Sequence, residues 1–206
     1  MTKRKTIVWG IVVAGIAALT VGARLAGHNA RQLKTGDSFP ETHLTNIHGA
    51  EFNVPDGHSR WVHLQFRRFA GCPICNLHLH SIVTRYPEIQ AAGIREVVVF
   101  HSPNASLLPF QGQFPFDVIG DPEKKLYHQF GVETSVYAIL NPAAWPSMFQ
   151  GHALADRPSG DPEGGPLGLP ADLLIGADGR VVASHYGRHA YDQWSVDELL
   201  ALVKAG

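Results

Sequence analysis

The chain has 206 residues, of which 45% are hydrophobic and 17% charged, so it is long and apolar enough for one domain with a sizeable core and is not a disordered protein. The formal net charge of −1 gives no electrostatic support for nucleic-acid binding. With only two cysteines, the chain has neither a multi-disulfide scaffold nor a four-cysteine zinc site.

The first 23 residues predict a targeting segment. Basic residues at positions 3–5 precede an uncharged apolar run over residues 6–23. This pattern is typical of an export signal, with a cleavage site after Ala23, and its length also suits a membrane anchor. Because the basic cluster stays in the cytoplasm, we expect a single-pass protein of the bacterial inner membrane with a periplasmic domain, or export to the periplasm. Residues 24–38 predict a tether.

Residues 39–206 predict one domain. Short apolar segments between Phe39 and Pro55 predict a hairpin-like opening, and the alternation from Trp61 to Phe66 predicts a strand. A helix to about Ala92 should follow, with Cys72 at its N-cap and Pro73 in its first position. Pro87 is expected to kink or restart this helix, and Gly93 to end it.

The second half predicts further strands and helices in alternation. We expect strands at residues 94–100 and 117–121, a short helix at 122–130, a hairpin of strands 171–175 and 180–184, and a final helix at 195–204. This order predicts an α/β fold in which a central mixed β-sheet is flanked by helices.

Residues 134–170 predict a Pro/Gly-rich insertion without regular structure, because they hold six of the fourteen prolines and five glycines. Long loops of this kind are usually lids or mobile insertions. Three apolar side chains of the insertion either form a docking surface or pack the loop against the core, and we favour packing against the core. They are Trp145, Met148 and Phe149.

Cys72 and Cys75 carry the chemistry that the sequence predicts. A Cys-x-x-Cys pair at a strand-to-helix junction places the thiols one turn apart, with the first cysteine where the helix dipole favours a thiolate. We therefore expect a lowered pKa for Cys72, which acts as the nucleophile, while Cys75 resolves the mixed disulfide. Arg67 and Arg68 either add positive potential or are ordinary surface arginines. The interpretation fails if both sulfurs are buried beyond reach of a thiol or oxidant.

Two other interpretations of the pair remain. A structural disulfide is disfavoured because a loop of two intervening residues gains little from closure. A copper or zinc site could use Cys72, Cys75 and His78, with His101 as a further neighbour. His80 cannot join His78, because residues two apart point to different faces of a helix. We expect no cofactor and no bound metal.

The chain resembles the alkyl hydroperoxide reductase / thiol-specific antioxidant family, the peroxiredoxin-like branch of the thioredoxin superfamily. The resemblance rests on an ordered series of matches: Gly36-Asp37-Ser38-Phe39-Pro40, the aromatic strand before Cys72-Pro73, Tyr86 to Phe100, Pro115 to Pro122, and Tyr127 to Val132. It implies a thioredoxin-like fold and redox chemistry at Cys72 and Cys75.

The chain departs from standard peroxiredoxins at three positions. Phe69 and Gln65 stand where the family has a Thr or Ser and a Pro, and Pro170 stands where it has the peroxide-binding arginine. Peroxide reduction therefore depends on whether Arg67 or Arg68 substitutes for the missing groups. Leu169-Pro170-Ala171 instead resembles the cis-proline loop of thioredoxins, which implies that Pro170 packs beside the cysteines and shapes a docking surface.

We therefore expect a thiol–disulfide oxidoreductase that acts on a thiol or disulfide protein with the help of a reductant partner. The predicted site comprises Cys72, Cys75, Pro170 and Arg68. One alternative is a peroxiredoxin-type antioxidant peroxidase, in which Cys72 is oxidised by a hydroperoxide and Cys75 resolves the product. The other is a non-enzymatic copper- or zinc-handling module.

Overall fold

The computed structural model describes residues 32–154 and 159–205. The predicted targeting segment of residues 1–23 lies outside this part of the chain, so its interpretation stays a prediction. Within the described ranges, no helix has both the length and the apolarity needed to cross a membrane.

A five-stranded mixed sheet forms the centre of the domain, in the order β5-β4-β3-β6-β7. A separate hairpin of β1 and β2 opens the domain, as predicted. The strands are β1 (Thr42–Thr45), β2 (Glu51–Val54), β3 (Trp61–Phe66), β4 (Ile94–Phe100), β5 (Asp117–Gly120), β6 (Ala171–Gly176) and β7 (Val181–Tyr186). Central strand β3 runs parallel to β4 and antiparallel to β6, so Leu64 lies between Val97 and Leu173.

Helices lie on the sheet and in the insertion. They are α1 (Pro73–Thr84), α2 (Tyr86–Ala91), α3 (Asn104–Gln111), α4 (Lys125–Gln129), α5 (Tyr137–Leu140), a 3-10 turn (Pro142–Ala144), α6 (Trp145–Ala153) and α7 (Val196–Ala205). The predicted break at Pro87 is confirmed, because α1 ends and α2 restarts around Arg85. Gly93, with φ +76°, follows the end of α2 as predicted. The fold is thus the predicted α/β sheet flanked by helices.

Apolar side chains fill both faces of the sheet. One cluster joins α1 and α7 to the sheet and includes both cysteines, Val98 and Leu174. The other lies on the opposite face around Leu64 and Phe66. Because β3 and β4 are covered on both sides, they are buried along almost their whole length, as a parallel core requires.

The insertion is not the unstructured loop that its composition predicted. Residues 137–153 fold into α5, the 3-10 turn and α6, and α6 packs against α1. The prolines of the insertion are compatible with these helices, because Pro142 and Pro146 occupy first-turn positions, where a backbone N–H has no partner within the helix. Met148 packs against the core, as we favoured for all three side chains. Trp145 and Phe149 are instead 46% and 69% exposed.

The predicted tether is shorter than residues 24–38. Leu33 N–H donates to the Tyr186 hydroxyl at 2.9 Å, Gly36 N–H donates to the Val181 carbonyl at 2.8 Å, and Ser38 forms a bridge with Arg180. The chain from Leu33 onward is therefore bound along β7, and the folded domain begins before Phe39.

Candidate active site

Cys72 occupies the position that the sequence predicts, at the N-cap of α1 with Pro73 in the first turn. Its Sγ accepts a hydrogen bond from the Cys75 N–H at 3.4 Å. The preceding Gly71 has φ +66°, and a Cβ there would lie 2.6 Å from the Phe110 ring, so the turn into the helix requires glycine. One N–H of the first turn, that of Cys75, thus faces the Cys72 sulfur.

Both cysteines are free thiols, and both are buried. Cys72 is 0% exposed and Cys75 is 4% exposed. The two thiols are hydrogen-bonded to each other, so they are close enough to react. Burial contradicts the expectation of a sulfur open to a protein thiol, and in this conformation Cys72 has no exposed surface, so a substrate reaches it only after a movement of the surrounding chain.

Arg68 is the positive group at the sulfurs. It is 4% exposed, and its Nη2 donates to Cys72 Sγ at 3.0 Å while Nη1 donates to the Pro166 carbonyl at 2.9 Å. Burial alone would lower the pKa of Arg68, but the charges of both cysteines raise it, so the guanidinium stays protonated. Arg68 is therefore not an ordinary surface arginine: it adds positive potential at the thiol pair.

The two thiols ionise as a pair, because each lies in the field of the other and of Arg68. Burial and the neighbouring Cys75 raise the pKa of Cys72 well above its ordinary value. Burial also opposes ionisation of Cys75, but the hydrogen bond from Cys72 and the charge of Arg68 outweigh it and lower the pKa of Cys75 to about 6. At neutral pH the pair therefore holds one thiolate and one thiol, because a second buried charge so close is unfavourable. Arg68 Nη2 and the Cys75 N–H both donate to Cys72 Sγ, and a thiolate at Cys72 itself stays a prediction.

Arg67 points away from the sulfurs into a second buried cluster. Its Nη2 lies 2.7 Å from Asp172 Oδ1, 2.6 Å from Gln65 Oε1 and 3.2 Å from His78 Nε2. Of the two arginines, only Arg68 contacts the thiol pair in the described part of the chain.

This second cluster extends through His63. Its Nδ1 lies 2.9 Å from a Glu96 oxygen, and its Nε2 lies 3.2 Å from Asp172 Oδ1, with all three side chains fully buried. Burial opposes protonation of His63, but the charge of Glu96 and the hydrogen bond to Asp172 raise its pKa to about 9. Sequence analysis missed this cluster. The signal for it was the pair of polar residues at alternate positions of an otherwise apolar strand, His63 and Gln65.

The bond before Pro170 is not the cis bond that the resemblance implies. Among the described residues the only cis peptide precedes Pro55, so the bond before Pro170 is trans. Its carbonyl accepts from Gly187 N–H at 2.9 Å, and it lines a cavity with Tyr137 and Tyr186. The expectation of a cis-proline loop is wrong because residues 168–170 pair with Glu133, Thr134 and Gly187.

The proposed metal site gains no support. The described residues contain no group of three or more His, Cys, Asp or Glu side chains placed to hold a metal ion. His78 instead faces Arg67, and burial followed by the charge of Arg67 lowers the pKa of His78 well below its ordinary value.

Residues 159–168, here named the strap, lie along the segment that leads into Cys72. The carbonyls of Glu163, Gly164 and Pro166 accept hydrogen bonds from His101, Lys124 and Arg68. At Gly160 an added Cβ would lie 2.4 Å from the Ala70 carbonyl, so the strap is in close contact with this segment. Contact with a region about 90 residues away explains why the sequence did not predict burial of the thiols.

A comparison with protein families matches the chain to a family described as AhpC/TSA antioxidant enzyme, over residues 81–189. The match begins six residues after Cys75 and covers more than half of the chain. No curated protein matches the chain.

Solved structures share the fold at low sequence identity. Peroxidoxin BcpB from Mycobacterium tuberculosis is 18% identical, with 84% of this chain and 98% of that chain covered and a TM-score of 0.62. A PrxQ mutant from Xylella fastidiosa is 16% identical, with 85% and 98% covered and a TM-score of 0.62. A putative thiol:disulfide interchange protein DsbE from Chlorobium tepidum is 20% identical, with 84% and 99% covered and a TM-score of 0.55.

The fold and the family match agree with the resemblance inferred from the residues. The thioredoxin-like sheet carries a buried dithiol beside an arginine, which is an arrangement for thiol redox chemistry. The chain belongs to the AhpC/TSA antioxidant enzyme family and is a thiol-dependent peroxidase or oxidoreductase with a thioredoxin-like fold.

Proposed function

We propose that the protein is a thiol-dependent peroxidase that reduces small hydroperoxides at Cys72 and forms an intramolecular disulfide with Cys75. The observation that carries this proposal is the contact of Arg68 Nη2 with Cys72 Sγ at 3.0 Å in a pair of which neither sulfur is more than 4% exposed. A hydroperoxide needs only a small opening of the surrounding chain, whereas a partner protein needs an exposed sulfur. Arg68 supplies the positive charge that the family's arginine provides where this chain has Pro170.

The reduced pair holds the electrons and the proton that the first step needs. Cys72 passes its proton to the Cys75 thiolate through their hydrogen bond, and its sulfur then attacks the terminal peroxide oxygen. The S–O bond forms as the O–O bond breaks, which gives the sulfenic acid of Cys72 and an alkoxide, or hydroxide when the substrate is hydrogen peroxide. The leaving oxygen takes the proton held on Cys75 and departs as an alcohol or water.

The second step closes the disulfide. The Cys75 thiolate attacks the Cys72 sulfur, the S–S bond forms, and hydroxide leaves and takes a proton from solvent. The hydroperoxide is reduced by two electrons and the dithiol is oxidised by two, so an external thiol reductant must restore the pair. Arg68 stabilises the charge on sulfur before the attack and on the leaving oxygen during it.

Thiol–disulfide exchange with a protein is the second candidate. It is supported by the Cys-x-x-Cys pair at a helix N-terminus, which gives a reversible two-electron switch. This function requires the strap to move away from residues 68–71, so that a partner sulfur can reach Cys72.

Parallel assays distinguish these functions. The full chain is given dithiothreitol as reductant and either hydrogen peroxide or insulin as substrate. A peroxidase consumes hydrogen peroxide catalytically and leaves insulin unreduced beyond the reductant alone, whereas Cys72→Ser abolishes peroxide consumption. The Cys75→Ser variant should stop at the sulfenic acid, which a dimedone probe detects by mass spectrometry. Insulin reduction without peroxide consumption would favour the second candidate and reject the first.

We also propose that the domain acts outside the inner membrane, because of the basic cluster and apolar run at residues 1–23. Cell fractionation and N-terminal sequencing of the expressed full chain test this. Recovery in the membrane or periplasmic fraction agrees with the proposal, and an unprocessed N-terminus in the cytoplasmic fraction contradicts it.

A further inference from the structure

Two buried polar atoms near the thiol pair have no hydrogen-bond partner in the described part of the chain. They are Arg68 Nε and His101 Nε2, and both residues are at most 4% exposed. Buried polar groups are almost always paired, because leaving one unpaired costs about 1–3 kcal/mol. An unpaired donor and an unpaired acceptor in one region indicate a polar ligand that provides both.

The Nε2 atom of His101 is a hydrogen-bond acceptor without a partner among the described residues. Its Nδ1 lies 2.7 Å from the Glu163 carbonyl, which only accepts hydrogen bonds, so Nδ1 carries the proton. Burial, followed by the charge of Lys124, lowers the pKa of His101 to about 4, and the ring is neutral at physiological pH. In a neutral imidazole protonated at Nδ1, Nε2 is an acceptor only.

Arg68 presents the matching donor. Its two Nη groups donate to Cys72 Sγ and to the Pro166 carbonyl, and Nε is the nitrogen of Arg68 that has no partner among the described residues. The two residues meet at Gly168, where an added Cβ would lie 3.1 Å from His101 Nε2 and 3.4 Å from Arg68 Cγ. The distance to Nε2 is tighter than an ordinary van der Waals contact, so the two side chains meet beside the Gly168 backbone, and a ligand enters between them only if the strap shifts.

We propose that His101 and Arg68 together bind the hydroperoxide, with the O–H of the substrate donating to His101 Nε2 and Arg68 Nε–H donating to a peroxide oxygen. This inference rests on the proposed peroxidase function. A hydroperoxide has one hydroxyl donor and oxygen acceptors on adjacent atoms, which is the complement of these two groups. Phe69 stands where the family has a hydroxyl side chain, so His101 supplies an acceptor that this chain otherwise lacks. His101 thus holds the substrate and transfers no proton.

Two substitutions at His101 separate substrate binding from structural support. His101→Asn keeps an N–H near the Nδ1 position, to hold the Glu163 carbonyl, but has no atom at the Nε2 position. His101→Gln places an amide group near the Nε2 position. We expect His101→Asn to lower kcat/KM for hydrogen peroxide about tenfold or more, as the loss of one hydrogen bond to the substrate implies, and His101→Gln to recover part of the loss.

Alkylation of the thiol pair by iodoacetamide is the second readout. The rate at pH 7 should stay within about twofold of wild type in both variants, because Arg68 and the helix terminus determine the thiolate. An unchanged kcat/KM in His101→Asn overturns the inference, and so does a parallel loss of alkylation, which would indicate a structural role only. If wild type itself consumes no peroxide, the proposed function fails. If wild type and His101→Asn consume it equally, only this inference fails.

Discussion

At the residue scale, Arg68 controls the ionisation of the thiol pair. Its guanidinium contacts Cys72 and stabilises the Cys75 thiolate, whose pKa it helps to lower to about 6. Both residue types and the N-cap position of Cys72 could be predicted from the sequence. The single ionisation of the pair could not, because it depends on burial by distant segments and on the position of the Arg68 guanidinium.

Replacing Arg68 by methionine tests this control. Without the positive charge, burial raises the pKa of both thiols, and we expect iodoacetamide alkylation at pH 7 to slow about tenfold or more. Arg85→Met is the matched control, because Arg85 is a partly exposed arginine paired with Glu88 and Asp197. Equal alkylation rates in Arg68→Met and wild type would contradict the assigned role.

The buried cluster around His63 predicts the pH dependence of stability. The folded-state pKa of His63, about 9, lies above its ordinary value, so the folded chain keeps a proton that the unfolded chain loses. Stability from this group is therefore fully present below about pH 6.5 and is lost as pH rises towards about 9. Ionisation of Cys75 opposes this trend, because its lowered folded-state pKa of about 6 makes stability rise over the same range. Urea unfolding of the Cys72→Ser/Cys75→Ser variant across this range should therefore give a falling free energy of unfolding, and a rising one would contradict the assignment.

Asp172 is the anion shared by Arg67 and His63 in that cluster. Asp172→Asn leaves two buried cations with less compensation, and we expect a loss of about 3–5 kcal/mol in the free energy of unfolding. Asp197→Asn, at an exposed carboxylate paired with Arg85, is the control and should change stability by less than about 1 kcal/mol. Urea titration of each purified variant measures both. A loss no larger in Asp172→Asn than in the control would show that the cluster is not a major source of stability.

At the scale of elements, predictions succeeded where a hydrophobic pattern determined the structure. The alternation in Trp61–Phe66, the valine run of β4 and the first turn at Pro73 all gave the observed elements. The insertion helices were missed because prolines were taken as breakers, although Pro142 and Pro146 stand at first-turn positions. The strap was missed because its carbonyls pair with side chains from distant segments.

The strap gives a prediction at this scale. A Cβ at Gly160 would lie 2.4 Å from the Ala70 carbonyl, so Gly160→Ala should displace the strap from residues 68–71. We expect the thiols of the reduced variant to react with DTNB about tenfold or more faster than those of wild type. Ser159→Ala, at the exposed neighbouring position, is the control and should leave the rate unchanged. An unchanged rate in Gly160→Ala would mean that the strap does not limit access to the thiols.

At the scale of the whole molecule, the domain boundary was predicted too late in the chain. Residues 33–38 pair with β7, and no local pattern in the sequence indicated this long-range contact. Removing residues 1–38 should therefore lower the free energy of unfolding by about 3 kcal/mol or more relative to removing residues 1–23, since five hydrogen bonds to the rest of the domain are lost. Equal stability of the two truncated chains in urea would contradict this boundary.

We expect the thiol pair to hold one stabilised thiolate beside one thiol. Ultraviolet thiolate absorbance of the reduced full chain, recorded as pH is raised, measures this most directly, with Cys72→Ser/Cys75→Ser as the blank. We expect one thiolate per molecule to appear with a midpoint near pH 6, and the second thiol to ionise only far above its ordinary pKa. Absence of thiolate until above about pH 8, or ionisation of both thiols in one step, would contradict the account.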